Sequence, residues 1–253
     1  MIRLTQIKLP ADHTPEMLTK KAAKLLRISP EEIRELHIRK RSLDARKKPE
    51  LFYSYTVDVS VKREAELIHK LKNPQISLCK EVRYRFPESG ETVLKERPLI
   101  IGTGPAGLFC GLMLARQGYR PVLLERGSAV DERQKKVNAF WQGGALDMQT
   151  NVQFGEGGAG TFSDGKLNTL VKDTFGRNRE VLRILTEFGG DPSILYVNKP
   201  HIGTDVLSRI VKSIRTEIEK LGGQVLFQSQ VTDFVTGGIQ AHKSPCCQRQ
   251  PGS

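Results

Sequence analysis

The sequence predicts an α/β chain in two parts, a small α+β domain followed by a larger domain with a parallel sheet. Its 253 residues are enough for two domains, because single domains usually hold about 100–200 residues. In the first part the strand and helix patterns follow the order βαββαβ. The second part opens with a strand, a glycine-rich turn, a helix and a second strand, a pattern typical of parallel sheets covered by helices.

The first predicted domain covers residues 1–95. Its elements are a strand over 2–9, a helix from Pro15, strands over 36–43 and 51–61, a helix over 64–72 and a strand over 77–86. Thr14 before Pro15 marks the helix start, since proline suits the first helical position. Residues 51–61 alternate apolar and polar side chains, as a half-buried strand does. The order predicts a domain that is ferredoxin-like in outline.

The second predicted domain covers residues 98–238. A short apolar strand, Leu99-Ile100-Ile101, runs directly into the turn Gly102-Thr103-Gly104-Pro105-Ala106-Gly107. A helix over 106–117 and a strand over 121–124 follow, and that strand ends at Glu125. We therefore expect a Rossmann-like unit here, in which a strand, a tight turn and a helix build a nucleotide site.

The residue types of this turn suit a dinucleotide. Gly102 permits the tight turn, Gly104 leaves room for a diphosphate at the backbone, and Gly107 lets the helix pack closely. The helix N-terminus offers unpaired N–H groups and the positive end of a dipole to phosphates. From the end of the second strand, the Glu125 carboxylate is expected to accept hydrogen bonds from the ribose hydroxyls. Its negative charge would disfavour the 2′-phosphate that NADP carries. A glycine-rich structural turn is the alternative, and the spacing does not separate FAD from NAD.

A second glycine-rich segment runs from Phe154 to Lys166. Its glycines are too dense for the interior of a helix or strand, so the backbone must turn repeatedly and approach something closely. A flat cofactor lying against exposed N–H groups would explain this composition. A flexible surface loop is the alternative, against which the apolar side chains of Phe154, Phe162 and Leu167 argue.

The remaining part of the second domain is predicted to be helical and then extended. The predicted elements are a helix over 181–188, a helix over 204–221, a strand over 224–228 and a short strand from Val231 to Phe234. Glycine pairs end both helices, as is common at helix C-termini. Residues 239–253 have no apolar periodicity and are predicted to form a disordered tail.

Three motifs together resemble a known family. They are Ser42-Leu43-Asp44-Ala45-Arg46, Gly102 to Leu108, and the longer run from Asn151 to Leu167. The combination is similar to a bacterial family of uncharacterised FAD-dependent dehydrogenases, within the glutathione-reductase-like flavoprotein superfamily. The resemblance covers about residues 1–238. It implies an FAD-binding oxidoreductase that holds its cofactor without a covalent bond.

The resemblance also implies roles for individual residues. The resemblance places the diphosphate on the glycine-rich turn and its neighbours in the motif. These residues are Gly102, Thr103, Gly104, Pro105, Ala106 and Gly107. Glu125 would bind the adenosine ribose, and Arg126 would lie beside it. Gly158, Gly160 and Thr161 would lie near the flavin, and the strand at Val231 would contact the adenine through its backbone. The resemblance names no substrate.

Members of this family are longer and return to the FAD domain late in the chain. We therefore expect this chain to be an N-terminal fragment with an incomplete FAD-binding domain. A compact natural form that completes its sheet with a partner is the alternative. No second unit of strand, GxGxxG turn and helix is predicted, so a nicotinamide donor would have to approach the flavin from solvent.

Catalytic residues other than the cofactor are not evident. The five histidines are scattered, and Cys110 is predicted to be a small core residue. Ser163, Asp164 and Lys166 border the second glycine-rich segment, and we hypothesise that they face the flavin ring. Because a flavin performs the hydride chemistry itself, a missing acid–base pair does not exclude an oxidoreductase.

The composition indicates the cellular compartment and suggests a second class of function. The four cysteines form no CxxC pair, which argues against zinc or a disulfide framework and favours the cytoplasm. No secretory signal and no apolar run long enough for a membrane span is present. Residues 1–97 contribute +8 of the net charge of +12, with basic clusters at 39–41 and 46–48. An RNA- or partner-binding module with a vestigial flavin domain is therefore the alternative function, and a solvated strand face is the plainer explanation of the charge.

Overall fold

The computed structural model describes residues 1–46, 48–167, 169 and 171–234, which form two compact units. The first unit comprises Met1–Tyr84, Leu167–Arg183 and Asp191–Pro200. The second comprises Arg85–Lys166, Ile184–Gly190 and the chain from His201 onward. The predicted tail over 239–253 lies outside the described residues, as do Lys47 of the basic cluster, His242, Cys246 and Cys247.

The first unit is built around one antiparallel sheet. Its elements are β1 (Ile2–Pro10), α1 (Pro15–Leu26), β2 (Glu35–Asp44), β3 (Phe52–Ser60), α2 (Glu64–Leu71) and β4 (Ile76–Leu78). The strands lie in the order β2-β3-β1-β4, and every neighbouring pair is antiparallel. As the sequence predicts, Pro15 is the first residue of α1, and alternate residues of β3 from Tyr55 to Val59 are buried. Those side chains form one apolar core with Leu18, Ala22 and Leu26 of α1.

The strand predicted over Ser77–Phe86 is mostly wrong, because only β4 forms. The antiparallel register places Leu78 opposite Ile2, so residues after Cys79 run past the end of β1 and find no partner strand. Glu81 and Arg83 instead form an ion pair of 2.7 Å, and Glu81 also pairs with Arg39.

The second unit holds a short parallel sheet with helices. Its elements are β5 (Leu99–Ile101), α3 (Pro105–Arg116), β6 (Val122–Leu124), α4 (Val130–Trp141), α6 (Thr204–Lys220) and β7 (Gln224–Leu226). The helix α5 (Arg177–Glu187) lies where the chain passes from the first unit into the second. The strands are parallel in the order β5-β6-β7. Over the described residues the chain is therefore a mixed α/β protein with one antiparallel and one parallel sheet.

Close packing of α3 depends on Gly111. A Cβ atom at Gly111 would lie 2.9 Å from Leu123 of β6 and 3.3 Å from Ile218 of α6. The glycine therefore lets α3 approach both the sheet and the neighbouring helix.

Two further predictions for this unit need correction. The strand predicted over Val231–Phe234 does not form: the chain turns at Gln228, whose φ is +52°, and Ser229 donates to the Glu125 carbonyl at 2.8 Å as the chain leaves the sheet. Conversely, α4 has no counterpart in the prediction. Its buried positions are Val130, Arg133 and Val137, and the arginine interrupts the apolar pattern by which helices are recognised.

Candidate functional site

The first glycine-rich turn has the backbone that a nucleotide turn requires. Gly102 has a φ of +90°, and its N–H donates to the carbonyl of Leu124 at 2.7 Å, which ties the end of β5 to β6. A Cβ atom at Gly107 would lie 1.9 Å from the carbonyl oxygen of Gly102. Any side chain at Gly107 would therefore push the first turn of α3 away from the strand.

The N-terminus of α3 is open toward solvent. A Cβ atom at Gly104 would meet no atom within 4 Å. Within the described chain, the backbone N–H groups of Gly104, Ala106 and Gly107 donate to no other group. Unpaired N–H groups at the positive end of a helix dipole favour an anionic ligand.

Glu125 lies beneath this turn rather than at its surface. Its side chain is buried, and its Oε2 accepts hydrogen bonds from the N–H and the hydroxyl of Thr103 at 2.8 and 2.7 Å. Its Oε1 accepts from the N–H of Gly127 at 2.8 Å and of Gly155 at 3.1 Å. The carboxylate thus lies between the two glycine-rich segments.

The second glycine-rich segment packs directly on the first. The N–H of Gly157 donates to the carbonyl of Thr103 at 2.8 Å. A Cβ atom at Gly158 would lie 3.0 Å from Pro105 and 3.4 Å from the Cα of Gly104. The segment is therefore a packed wall rather than a solvated loop. Gly158, which the resemblance places near the flavin, lies beside the N-terminus of α3, where the sequence predicts the diphosphate.

A buried arginine that the sequence analysis missed holds the second segment in shape. Arg133 of α4 is fully buried, and its guanidinium donates to six oxygen atoms, four of this segment and two of the residues just before it. The acceptors are the carbonyls of Asn151, Val152, Gly155, Glu156 and Gly158 and the hydroxyl of Thr161, at 2.7 to 3.2 Å. The side chain also lies against Gly155, whose φ of +121° only glycine tolerates.

The neighbouring carboxylate of Glu156 is also buried. Its Oε2 accepts from the N–H of Val130 at 2.7 Å, and its Oε1 accepts from Nε of Arg215 at 2.7 Å. Burial raises the pKa of Glu156, and the hydrogen bond from Val130 and the charge of Arg215 counteract only part of that effect. Glu156 thus anchors the segment to both α4 and α6.

These elements enclose a cleft of about 360 Å³ in the second unit. That volume lies within the range of small-molecule sites, about 300–1,000 Å³. The predicted site residues that line it are Gly102, Gly104, Glu125, Arg126, Gly158 and Val231. Phe154 of the second glycine-rich segment also lines the cleft, as do Gln153, Ser229 and Gln230, which were not predicted as site residues. Arg126 lies with its guanidinium 3.9 Å from the Phe154 ring centre and donates to Gln149 at 2.9 Å.

Other predicted site residues support the cleft without lining it. Thr103 is fully buried and bonded to Glu125, and Pro105 and Ala106 begin α3. Thr161 is buried against Arg133, and the nearest neighbour of a Cβ atom at Gly160 would be Leu207, 3.8 Å away.

The residues considered for catalysis include two side chains expected to face the flavin ring and one cysteine expected in the core. Lys166 and Asp164 form an exposed ion pair of 2.7 Å. Cys110 is exposed, so the prediction that it is a core residue is wrong: it lies on α3 away from the buried face of Leu108, Gly111 and Leu112.

The basic cluster of the first unit is largely engaged within the protein. Arg39 donates to Asp58 at 2.6 Å, and Arg46 pairs with Asp44 at 2.7 Å. The guanidinium of Arg41 lies between the rings of Tyr53 and Tyr196, 5.1 and 5.2 Å from their centres. These contacts fit a structural role for the charges.

Comparison with known proteins adds two findings. Residues 1–60 match a family described as Domain of unknown function (DUF8436). An uncharacterised protein of Clostridium beijerinckii is 45% identical over 230 residues, which is 91% of this chain and 43% of that relative. The chain thus spans less than half the length of the curated relative it matches.

Across the described ranges, no helix is both long and apolar enough to cross a membrane.

Proposed function

We propose that the chain forms the nucleotide-binding part of an FAD-dependent oxidoreductase. In this proposal the second unit is a Rossmann-like FAD-binding domain, and the first is a ferredoxin-like α+β domain. The observation that carries it is the cleft at the start of α3, where open N–H groups meet the packed second glycine-rich segment. A nicotinamide donor would have to reach the bound flavin of this enzyme from solvent.

The residues present fit an ADP group of such a cofactor. Gly104 leaves open space where a diphosphate would lie, and the N–H groups of Ala106 and Gly107 would donate to its oxygens. Val231 and Arg126 line the same cleft and would flank the adenosine. The preference for FAD over NAD rests on the family resemblance and on the second glycine-rich segment.

A bound flavin would supply the hydride chemistry, and the protein would orient and enclose it. The chain contributes fixed N–H donors at the first turn of α3. It also contributes a second segment whose carbonyls are already paired by Arg133, so that its shape does not depend on the ligand.

Substitution at Gly104 tests the proposal without disturbing the fold. Gly104 has φ −66° and ψ −178°, which valine also adopts, and its Cβ would meet no protein atom. Gly104→Val should therefore fold normally but fill the space of the diphosphate, and FAD retention should fall at least about tenfold. Gly90→Val is the matched control, because its Cβ also meets no atom within 4 Å and it does not line the cleft. FAD content is read from the flavin absorbance of the purified proteins.

Equal FAD retention by Gly104→Val and the control would refute the cleft as the cofactor site.

A second measurement addresses the electron donor. Dithionite should bleach the bound flavin, and bleaching by NADH would show that a nicotinamide reaches the flavin in this chain. A wild-type protein that binds no FAD at all would refute the proposed function.

A further inference from the structure

The motif Ser42 to Arg46 in the first unit does not line the cleft described above. Two of its residues, Asp44 and Arg46, line a separate cleft of about 760 Å³ in the first unit. This volume is within the range of small-molecule sites, about 300–1,000 Å³. The motif therefore has a candidate site of its own.

A single carboxylate holds two cations of this cleft in place. Asp44 accepts from Nζ of Lys8 at 2.9 Å and from Nε and Nη2 of Arg46 at 2.8 and 2.7 Å. Lys21 of α1 also lines the cleft, and its Nζ donates to the carbonyl oxygen of Lys8 at 2.7 Å. Cations that are already held in place lose less conformational entropy when a ligand binds.

The three cations keep hydrogen-bond donors for a ligand. An ammonium has three N–H donors and a guanidinium has five. In the described chain, Nζ of each lysine donates one hydrogen bond, and Nη1 of Arg46 donates none. The side chains of Lys8 and Arg46 are 50% and 78% exposed, so a ligand can reach these donors. With the carboxylates of Asp44 and Glu50, the lining has a net charge of +1, which favours an anion.

An aromatic ring lies at the same end of the sheet. The antiparallel register pairs Phe52 of β3 with Pro10 of β1 and with Asp44 of β2, and all three line the cleft. Phe52 is only partly buried, and it lies on the opposite face of the strand from Tyr53, which packs against the core. An aromatic ring beside cations is typical of sites that stack a nucleic-acid base and bind its phosphate.

We propose that this cleft binds a nucleotide, with the phosphate on Lys8, Lys21 and Arg46 and the base stacked on Phe52. A phosphate suits donors on several separate nitrogens, because its oxygens each accept charge-assisted hydrogen bonds. The ligand is a free nucleotide or a nucleotide of an RNA strand, since both carry this chemistry. The proposal goes beyond the FAD-binding role, because that role belongs to residues of the second unit.

Uridine ligands test the cleft without relying on the adenosine that FAD contains. Calorimetry would measure binding of uridine monophosphate and of a short oligouridylate to the wild type. Tighter binding of the oligouridylate identifies an RNA strand as the ligand, and equal binding identifies a free nucleotide. Gly104→Val should bind both probes as the wild type does. A loss in that variant would assign the binding to the second unit and overturn the proposal, as would a wild type that binds neither probe.

Lys21→Gln tests the phosphate contact, and Lys20→Gln is its matched control. Both residues are exposed on α1 and both changes remove one charge, but Lys21 lines the cleft and Lys20 does not. For single strands, log affinity falls with log salt concentration with a slope of about −0.7 for each phosphate contact. Lys21→Gln should therefore weaken binding and make the slope shallower by about 0.7, and Lys20→Gln should do neither. Equal affinities and slopes in the two variants would overturn the proposal.

Phe52→Leu tests the base contact. Leucine keeps an apolar side chain but removes the ring, so affinity for the uridine probe should fall at least about fivefold, as expected when one base loses its stacking partner. Competition with oligoglutamate provides the comparison, because this peptide carries negative charge and no base. It should displace the probe poorly from the wild type. Displacement as strong as that by unlabelled oligouridylate, or an unchanged affinity of Phe52→Leu, would show that the cleft recognises charge alone and would overturn the nucleotide assignment.

Discussion

Arg133 donates a hydrogen bond of 2.7 Å from Nη1 to the backbone carbonyl of Glu156, and both residues are fully buried. The arginine charge is thus stabilised mainly by carbonyl dipoles of the second glycine-rich segment. Burial lowers the pKa of Arg133 to about 10, against the opposing effect of the Glu125 and Glu156 charges. The side chain therefore remains charged at neutral pH.

Replacing this arginine should destabilise the second unit. Lysine has three donors on a single nitrogen and cannot reach oxygens spread around a planar guanidinium, so Arg133→Lys leaves several buried carbonyls unpaired. Each such group costs about 1–3 kcal/mol, so we expect a loss of about 3 kcal/mol or more in the free energy of unfolding. Urea unfolding followed by circular dichroism measures it. Arg209→Lys on α6, whose side chain is 73% exposed, is the matched control and should change stability by less than about 0.5 kcal/mol. Similar losses in the two variants would contradict the role of Arg133.

Gly107→Ala should lower stability, whereas Gly104→Ala should not. The added methyl at Gly107 would lie 1.9 Å from the Gly102 carbonyl oxygen, and only movement of the backbone relieves that overlap. Overpacking of this kind costs about 1–3 kcal/mol. The methyl at Gly104 would meet nothing within 4 Å. The midpoints of thermal unfolding of the two variants provide the check, and an equal shift in both would argue against the tight turn.

Asp58 should make the first unit sensitive to acid. Burial acts to raise the pKa of Asp58, but hydrogen bonds and charges of Arg3 and Arg39 outweigh it and hold the pKa below its ordinary value. The folded state thus binds a proton less readily than the unfolded chain. The stabilisation is present above about pH 3.9 and is lost as the pH falls through the folded-state pKa.

Asp58→Asn tests this account. At neutral pH it leaves two guanidinium groups without their shared carboxylate and should cost about 3–5 kcal/mol in unfolding free energy. The difference from the wild type should shrink between about pH 5 and about pH 2, as Asp58 becomes protonated in the wild type. Asp12→Asn is an exposed control that should cost much less. A difference that stays constant over this range would disprove the assigned pKa direction.

Glu156 should show the opposite pH dependence. Because burial raises its pKa, the folded state binds a proton more readily than the unfolded chain. Relative to a side chain that does not titrate, Glu156 therefore stabilises the fold most below about pH 4.3. This contribution is lost as the pH rises through the folded-state pKa of Glu156. The wild type should therefore gain stability relative to Glu156→Gln as the pH is lowered from about 8 to about 4. Urea unfolding of both proteins across this range gives the difference, and a relative gain at high pH would show that the charge of Arg215 dominates instead.

Much of the backbone could be predicted because it depends on neighbours in sequence. The positive φ of Gly102 follows from the steric freedom of glycine, and the shared apolar face of Tyr55, Val57 and Val59 follows from the two-residue period of a strand. The order of elements in the first unit was predictable for the same reason. The length of β4 was not, because it depends on where the distant strand β1 ends.

The sequence alone thus determined the strand, turn and helix around Gly102 and Gly107, because local sterics and periodicity leave few alternatives there. Only the tertiary structure decided what Glu125 and Arg133 do. The carboxylate of Glu125 accepts from Thr103, 22 positions earlier, and from Gly155, 30 positions later. The acceptors of Arg133 lie 18 to 28 positions away. Buried polar side chains bond to whichever groups folding brings beside them, and no local pattern specifies those partners.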